Sequence, residues 1–141
     1  MMEKGAGLNL NGMGNTRLII IEDEFFAANH LKDVVTDYGY WVVDMYESGE
    51  AFLKADSWEF DAAIVDIFLA EKLTGLDVAE HLVKRQKPFI FLTANQDSQT
   101  LKQAARLFPK AYISKPFKVN DVVAALEIIG QSLATKITIR T

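Results

Sequence analysis

Hydrophobic positions in this chain alternate between two patterns. Short unbroken apolar runs, among them Leu18-Ile19-Ile20-Ile21, Ala62-Ala63-Ile64-Val65 and Phe89-Ile90-Phe91-Leu92, are too short for helices and read as strands covered on both faces. Between them the apolar residues recur at helical spacing, as in Phe26, Ala27, Leu31, Val34, Val35 and Tyr38. The pattern predicts strands over 17–21, about 40–45, 61–65, 89–92 and 111–114. It predicts a first helix stopped by a left-handed Gly39, and a second running from an N-cap at Ser48 to Ala55. A third runs from Leu76 to about Gln86, after a loop that ends at Gly75, and a fourth from about Ser98 to Phe108, stopped by Pro109. Asn120 is the expected cap of a fifth, with Val122, Val123, Leu126 and Ile129 on its apolar face and Gly130 weakening or ending it. Strands alternating with helices imply an α/β domain with helices on both faces of a parallel sheet.

The polar residues that follow these runs change the picture from fold to chemistry. Glu22 and Asp23 follow the first strand, Asp66 the third, Thr93 the fourth, and Lys115 closes Ala111-Tyr112-Ile113-Ser114. They converge only if the runs are neighbouring parallel strands, where ligands bind in the crevice beyond the carboxyl ends. Each has an ordinary reading on its own: Asp66 a turn or cap residue, Asp23 and Glu24 acids favoured by a helix N-terminus, Lys115 a solvated lysine, Tyr112 a core aromatic.

Composition narrows the classes. The 141 residues, half of them hydrophobic, suit one domain, expected over 16–134, with a Gly- and Asn-rich flexible leader over 1–15 and a short tail over 135–141. In the tail Ile137 and Ile139 alternate with polar residues, so an edge strand, a contact with another chain and disorder all stay open. A formal charge of −4 without a basic stripe gives no electrostatic footprint for nucleic acid. Without cysteine there is no disulfide, thiol nucleophile or cysteine-bound zinc. His30 and His81 read as ordinary helix histidines. No apolar run approaches the roughly 20 residues that cross a bilayer, and the expected location is the cytoplasm.

Taken together, Ile21-Glu22-Asp23-Glu24, Val65-Asp66, Leu92-Thr93-Ala94 and Ser114-Lys115-Pro116-Phe117 resemble the receiver domain of two-component response regulators. The resemblance implies a flavodoxin-like, five-stranded, doubly wound fold of strand order 2-1-3-4-5. It implies that a sensor histidine kinase or a phosphotransfer protein gives its phosphoryl group to Asp66, the phosphoacceptor, with Lys115 and Thr93 assisting. A Mg²⁺ ion would be held by Glu22, Asp23, Asp66 and the backbone carbonyl of Phe68. Thr93 and Tyr112 would form the switch, and Phe68 and Asn95 would tune loss of the phosphoryl group. The Lys115–Pro116 bond would be cis. A downstream protein would read the surface of the fourth helix, fifth strand and fifth helix, through which two copies could also pair.

The match departs in one loop. Many receivers carry a proline four residues and a glycine eight residues after the acceptor; here Ala70 stands at the first place and Gly75 comes nine residues on, so the loop over 67–74 is one residue longer. The expected role is a stand-alone phosphoacceptor rather than an enzyme, with the regulatory half of a longer regulator as the alternative. A Mg²⁺-dependent aspartyl phosphohydrolase needs a general acid and usually a substrate-enclosing cap, whereas this chain has no second Asp two residues past Asp66 and no insertion long enough for a cap. A flavin or nucleotide binder needs a Gly-rich loop after the first strand, where this chain has Glu22-Asp23-Glu24.

Overall fold

Five parallel strands form one sheet in the order β2-β1-β3-β4-β5: β1 (Arg17–Ile21), β2 (Trp41–Tyr46), β3 (Ala62–Asp66), β4 (Phe89–Thr93) and β5 (Ala111–Ser114). The computed structural model describes residues 16–94 and 97–140, without the side chains of 135–140. The expected leader over 1–15 and the candidate tuning residue Asn95 lie outside the described residues.

Strand alternation explains why the apolar runs are unbroken. Leu18, Ile20, Ala62, Ile64, Ile90, Leu92 and Ile113 face α1 (Phe25–Asp37) and α5 (Val119–Arg140). Ile19, Ile21, Ala63, Val65, Phe89 and Phe91 face α2 (Gly49–Ala55), α3 (Gly75–Lys84) and α4 (Ser98–Ala105). A strand with helices on both sides has no solvent face, so alternate residues cannot be polar. This is the doubly wound arrangement expected from the sequence, with the strand order the resemblance implies.

Helix starts follow local chemistry. Ser48 caps α2 by accepting from the Ala51 amide at 3.0 Å, as expected. Glu24 caps α1 through the amides of Phe26 and Ala27, so this acid has the ordinary helix-start role. Gly39 follows α1 with φ 91°, the left-handed conformation that glycine adopts without a steric cost.

Several boundaries differ from the expected ones. Tyr40 is not part of β2: its amide closes α1 onto the Val35 carbonyl, and its hydroxyl donates to the Leu126 carbonyl at 3.0 Å. β3 and β4 run one residue further than expected and include Asp66 and Thr93. α3 starts at Gly75 because Thr74 and Asp77 form a reciprocal capping box, and it ends before Gln86, which takes φ 58°. α4 ends at Ala105, three residues short of Phe108, where the Leu107 and Phe108 amides turn back onto the carbonyls of Ala104 and Ala105. α5 starts one residue before Asn120, and the Lys118 carbonyl accepts from Asp121 and Val122.

The tail is helical as far as Arg140. α5 passes the buried Gly130 and continues to Arg140, in place of an edge strand at 137–139. A glycine costs about 1 kcal/mol inside a helix, while a helix already formed gains a hydrogen bond with each added residue. No described helix is long and apolar enough to cross a membrane.

Candidate functional site

The sheet delivers its polar residues to one edge. Backbone pairing continues one residue past three strand ends: the Glu22 amide donates to the Tyr46 carbonyl at 3.0 Å, Ile67 to Leu92 at 3.0 Å and Lys115 to Thr93 at 2.9 Å. Glu22, Asp66 and Lys115 are therefore placed by the ladder rather than by free loops.

Glu22, Asp23 and Asp66 each bring one carboxylate oxygen within 4.8 Å of the others. Glu22 and Asp66 are buried, with side chains 0% and 5% exposed, whereas Asp23 is exposed. The Lys115 ammonium joins the buried pair, 2.7 Å from Glu22 Oε1 and 3.0 Å from Asp66 Oδ2. The remaining oxygens are oriented by the backbone: the Glu24 amide donates to Glu22 Oε2 and the Phe68 amide to Asp66 Oδ1, each at 3.0 Å.

The electrostatics follow from this crowding. Burial pushes the Glu22 carboxyl above its ordinary value, and the hydrogen bonds from Lys115 and the Glu24 amide offset only part of the rise. Asp23 is raised as well, first by burial and then by the adjacent Glu22. Burial acts to lower Lys115, but the hydrogen bonds to Glu22 and Asp66 outweigh it and hold the ammonium above its ordinary value. Three acids at one strand edge thus exceed the charge of the single ammonium. An all-oxygen, acidic donor set with surplus negative charge suits a hard divalent cation such as Mg²⁺, so the residues present fit that ion.

The other sequence-predicted residues fall around this cluster. The Lys115–Pro116 bond is cis. Thr93 is 3% exposed at the end of β4. Phe91 pairs with Tyr112, and Thr93 with Ser114, so Thr93 and Tyr112 share the sheet face turned toward α3 and α4. Tyr112 is 43% exposed, its ring 6.2 Å from that of Phe91. Phe68, two residues past the Asp66 carboxylate that its amide helps to orient, is also 43% exposed. Of the histidines, His81 is exposed on α3, and His30 on α1 stacks on Phe117 at 4.9 Å.

Sequence reasoning missed three contributors to the site's frame. The direct ion pair of Lys115 with Glu22 depends on the order of the strands, as does the paired fork of Arg17 on Asp61 at the opposite edge. The capping box of Thr74 and Asp77 was readable, since a Thr followed three residues later by an acid before an apolar helix is its signature.

Comparison with known proteins agrees with the geometry. Residues 18–127 match the response regulator receiver domain. The chain is 30% identical over 114 residues to the transcriptional regulatory protein PdtaR of Mycobacterium tuberculosis, covering 79% of this chain and 55% of that protein. It is 25% identical over 114 residues to the transcriptional regulatory protein CrdR of Helicobacter pylori, covering 79% and 53%. The chain thus spans about half the length of these curated relatives. Among solved structures, the signal receiver domain of a modulated diguanylate cyclase from Desulfovibrio desulfuricans is 30% identical with a TM-score of 0.76, covering 82% of this chain and 94% of that one. A doubly wound 2-1-3-4-5 sheet, acids gathered at its carboxyl edge and a family match over most of its length make this chain a member of the response regulator receiver domain family.

Proposed function

We propose that Asp66 accepts a phosphoryl group from a phosphohistidine, and that the resulting change of charge is what the protein signals. The observation that carries this reading is the meeting of Lys115 with both Glu22 and Asp66, which leaves a carboxylate at a strand end beside a fixed ammonium. A carboxylate is a competent nucleophile toward phosphorus. Asp66 attacks the phosphorus, the bond from phosphorus to the donor's ring nitrogen breaks with its electron pair left on that nitrogen, and an acyl phosphate forms. The Phe68 amide fixes one carboxylate oxygen while Lys115, beside the other, meets the equatorial oxygens of the incoming group.

Glu22, Asp23 and Asp66, with the Phe68 carbonyl, would hold Mg²⁺, which supplies charge neutralisation when bound. The protein assists its own phosphorylation and dephosphorylation without turning over a separate substrate. Phe68, exposed beside the acceptor, shields the product from water, and Asn95 is a second candidate for this tuning.

Thr93 supplies a hydroxyl to the phosphoryl oxygens, and Tyr112 responds from the same sheet face. That couples the site to the surface of α4, β5 and α5. A cytoplasmic histidine kinase or phosphotransfer protein is the donor in this reading, and a downstream protein or a second copy reads the surface. The test is phosphorylation by acetyl phosphate with Mg²⁺ or with a chelator: one adduct is expected with the metal and almost none without it. Equal labelling in both arms would overturn the metal-assisted reading.

A further inference from the structure

The loop over 67–74 carries the Phe68 carbonyl but has Ala70 where the resemblance expects a stiffening proline. Its base is closed by the Gly75 amide, which donates to the Ile67 carbonyl at 2.7 Å. A Cβ at Gly75 would collide with the Asp66 carbonyl oxygen and stand 2.6 Å from the Ile67 Cα, so the close approach requires glycine. Leu69 is buried, whereas Ala70, Glu71 and Lys72 are exposed. Beyond them, the chain is caught again by a residue from another element. Glu50, in the first turn of α2, accepts from the Leu73 amide at 2.9 Å across 23 residues of sequence.

Two further observations mark this contact as built. Gly49 leaves room for the loop, since a Cβ there would stand 3.1 Å from Leu73 Cβ and 2.7 Å from Val78 Cγ2. The second Glu50 oxygen, Oε1, is buried without a hydrogen-bond partner among the described residues. A hydrogen bond to a charged acceptor contributes about 1.5–3 kcal/mol, so the Glu50–Leu73 bond ties the far end of the loop to α2.

We propose that Glu50 is a positioning residue for phosphoryl transfer: by pinning Leu73 it replaces the missing proline and holds the loop so that the Phe68 carbonyl stays in the site. This rests on the phosphoacceptor reading of the site. A loop that spends time away from its bound geometry weakens the apparent affinity for the ion in proportion to the competent fraction, and leaves the rate at saturation little changed.

Hydrogen exchange on the metal-free protein tests the pin without using activity. The Leu73 amide of the wild type is expected to be protected relative to those of Glu71 and Lys72. In Glu50→Ala the amides of the 67–75 segment exchange about tenfold faster. The Mg²⁺ concentration for half-maximal phosphorylation by acetyl phosphate rises about three- to tenfold, with the saturated rate within about twofold. Glu50→Gln, whose amide oxygen still accepts from Leu73, restores all three readouts. A wild-type Leu73 amide as fast as its neighbours overturns the proposal without any variant, and so does Glu50→Gln behaving as Glu50→Ala. A saturated rate that falls with no change in half-saturation also overturns it. A wild type that takes up no phosphoryl group contradicts the reading of the site instead, while the exchange experiment still decides the role of Glu50.

Discussion

Lys115 and Glu22 meet at 2.7 Å although 93 residues separate them in sequence. The contact brings together the carboxyl ends of β1 and β5, which are not neighbours in the sheet, and β3, which lies between them, supplies Asp66 to the same ammonium. One side chain therefore ties the carboxyl ends of β1, β3 and β5 together.

Replacing that cation separates its structural and chemical roles. Lys115→Met leaves Glu22 and Asp66 buried without their counter-charge, and breaking a buried pair from one side costs about 3–5 kcal/mol. The metal-free variant should melt well below wild type, with Mg²⁺ restoring more stability to it than to wild type. Its rate of phosphorylation by acetyl phosphate should fall about 100-fold, comparable to loss of a preorganised electrostatic group. A rate close to wild type would remove Lys115 from the chemistry.

The Arg17–Asp61 pair predicts behaviour in acid. Burial alone would raise the Asp61 carboxyl, but the Arg17 side chain and amide, at 3.1 Å and 2.8 Å, hold it below its ordinary 3.8. A carboxylate with a lowered folded value stabilises the protein above the unfolded value and loses that contribution as pH falls through the folded one. Asp61→Asn should cost about 1 kcal/mol near neutrality after solvent screening, and the gap from wild type should close as pH drops below 3.8. Denaturant midpoints across this range check the sign; a gap that widens in acid would contradict it.

Gly75 is fixed by sterics rather than by a turn type. Gly75→Ala drives a methyl group against the Asp66 and Ile67 backbone and should destabilise the domain by about 1–3 kcal/mol. Thermal unfolding measures this, and an unchanged melting temperature would show that the loop base yields easily.

Phe68 stands exposed two residues past Asp66. Phe68→Ala should admit water and shorten the lifetime of the phosphorylated form by about threefold to tenfold, roughly the effect of removing one group that excludes water. Following decay after removal of the phosphodonor gives the lifetime; no acceleration would argue against shielding.

The parts of the site that the sequence made legible are those attached to strand ends. Glu22, Asp23, Asp66 and Lys115 each follow an apolar run, and a parallel sheet carries such positions to one edge whatever the loops do. Glu50 was not legible, because its acceptor role exists only once α2 lies beside a loop 23 residues further on. Two helix ends were misread where non-glycine residues take positive φ, Gln86 at 58° and Phe108 at 56°, which carry no sequence mark for that conformation, although α2 was read correctly to Ala55 ahead of Asp56 at 49°. At Gly130 the propensity rule pointed to a weakened or ended helix, and helix propagation through the buried glycine overrode it.

The central claim is that one carboxylate, Asp66, takes up phosphorus. Acetyl phosphate and Mg²⁺ should add the mass of a single phosphoryl group to the wild-type protein, mapped to the peptide that contains Asp66, and none to Asp66→Asn. An adduct of equal yield in Asp66→Asn, or one mapped elsewhere in the wild type, would contradict the account.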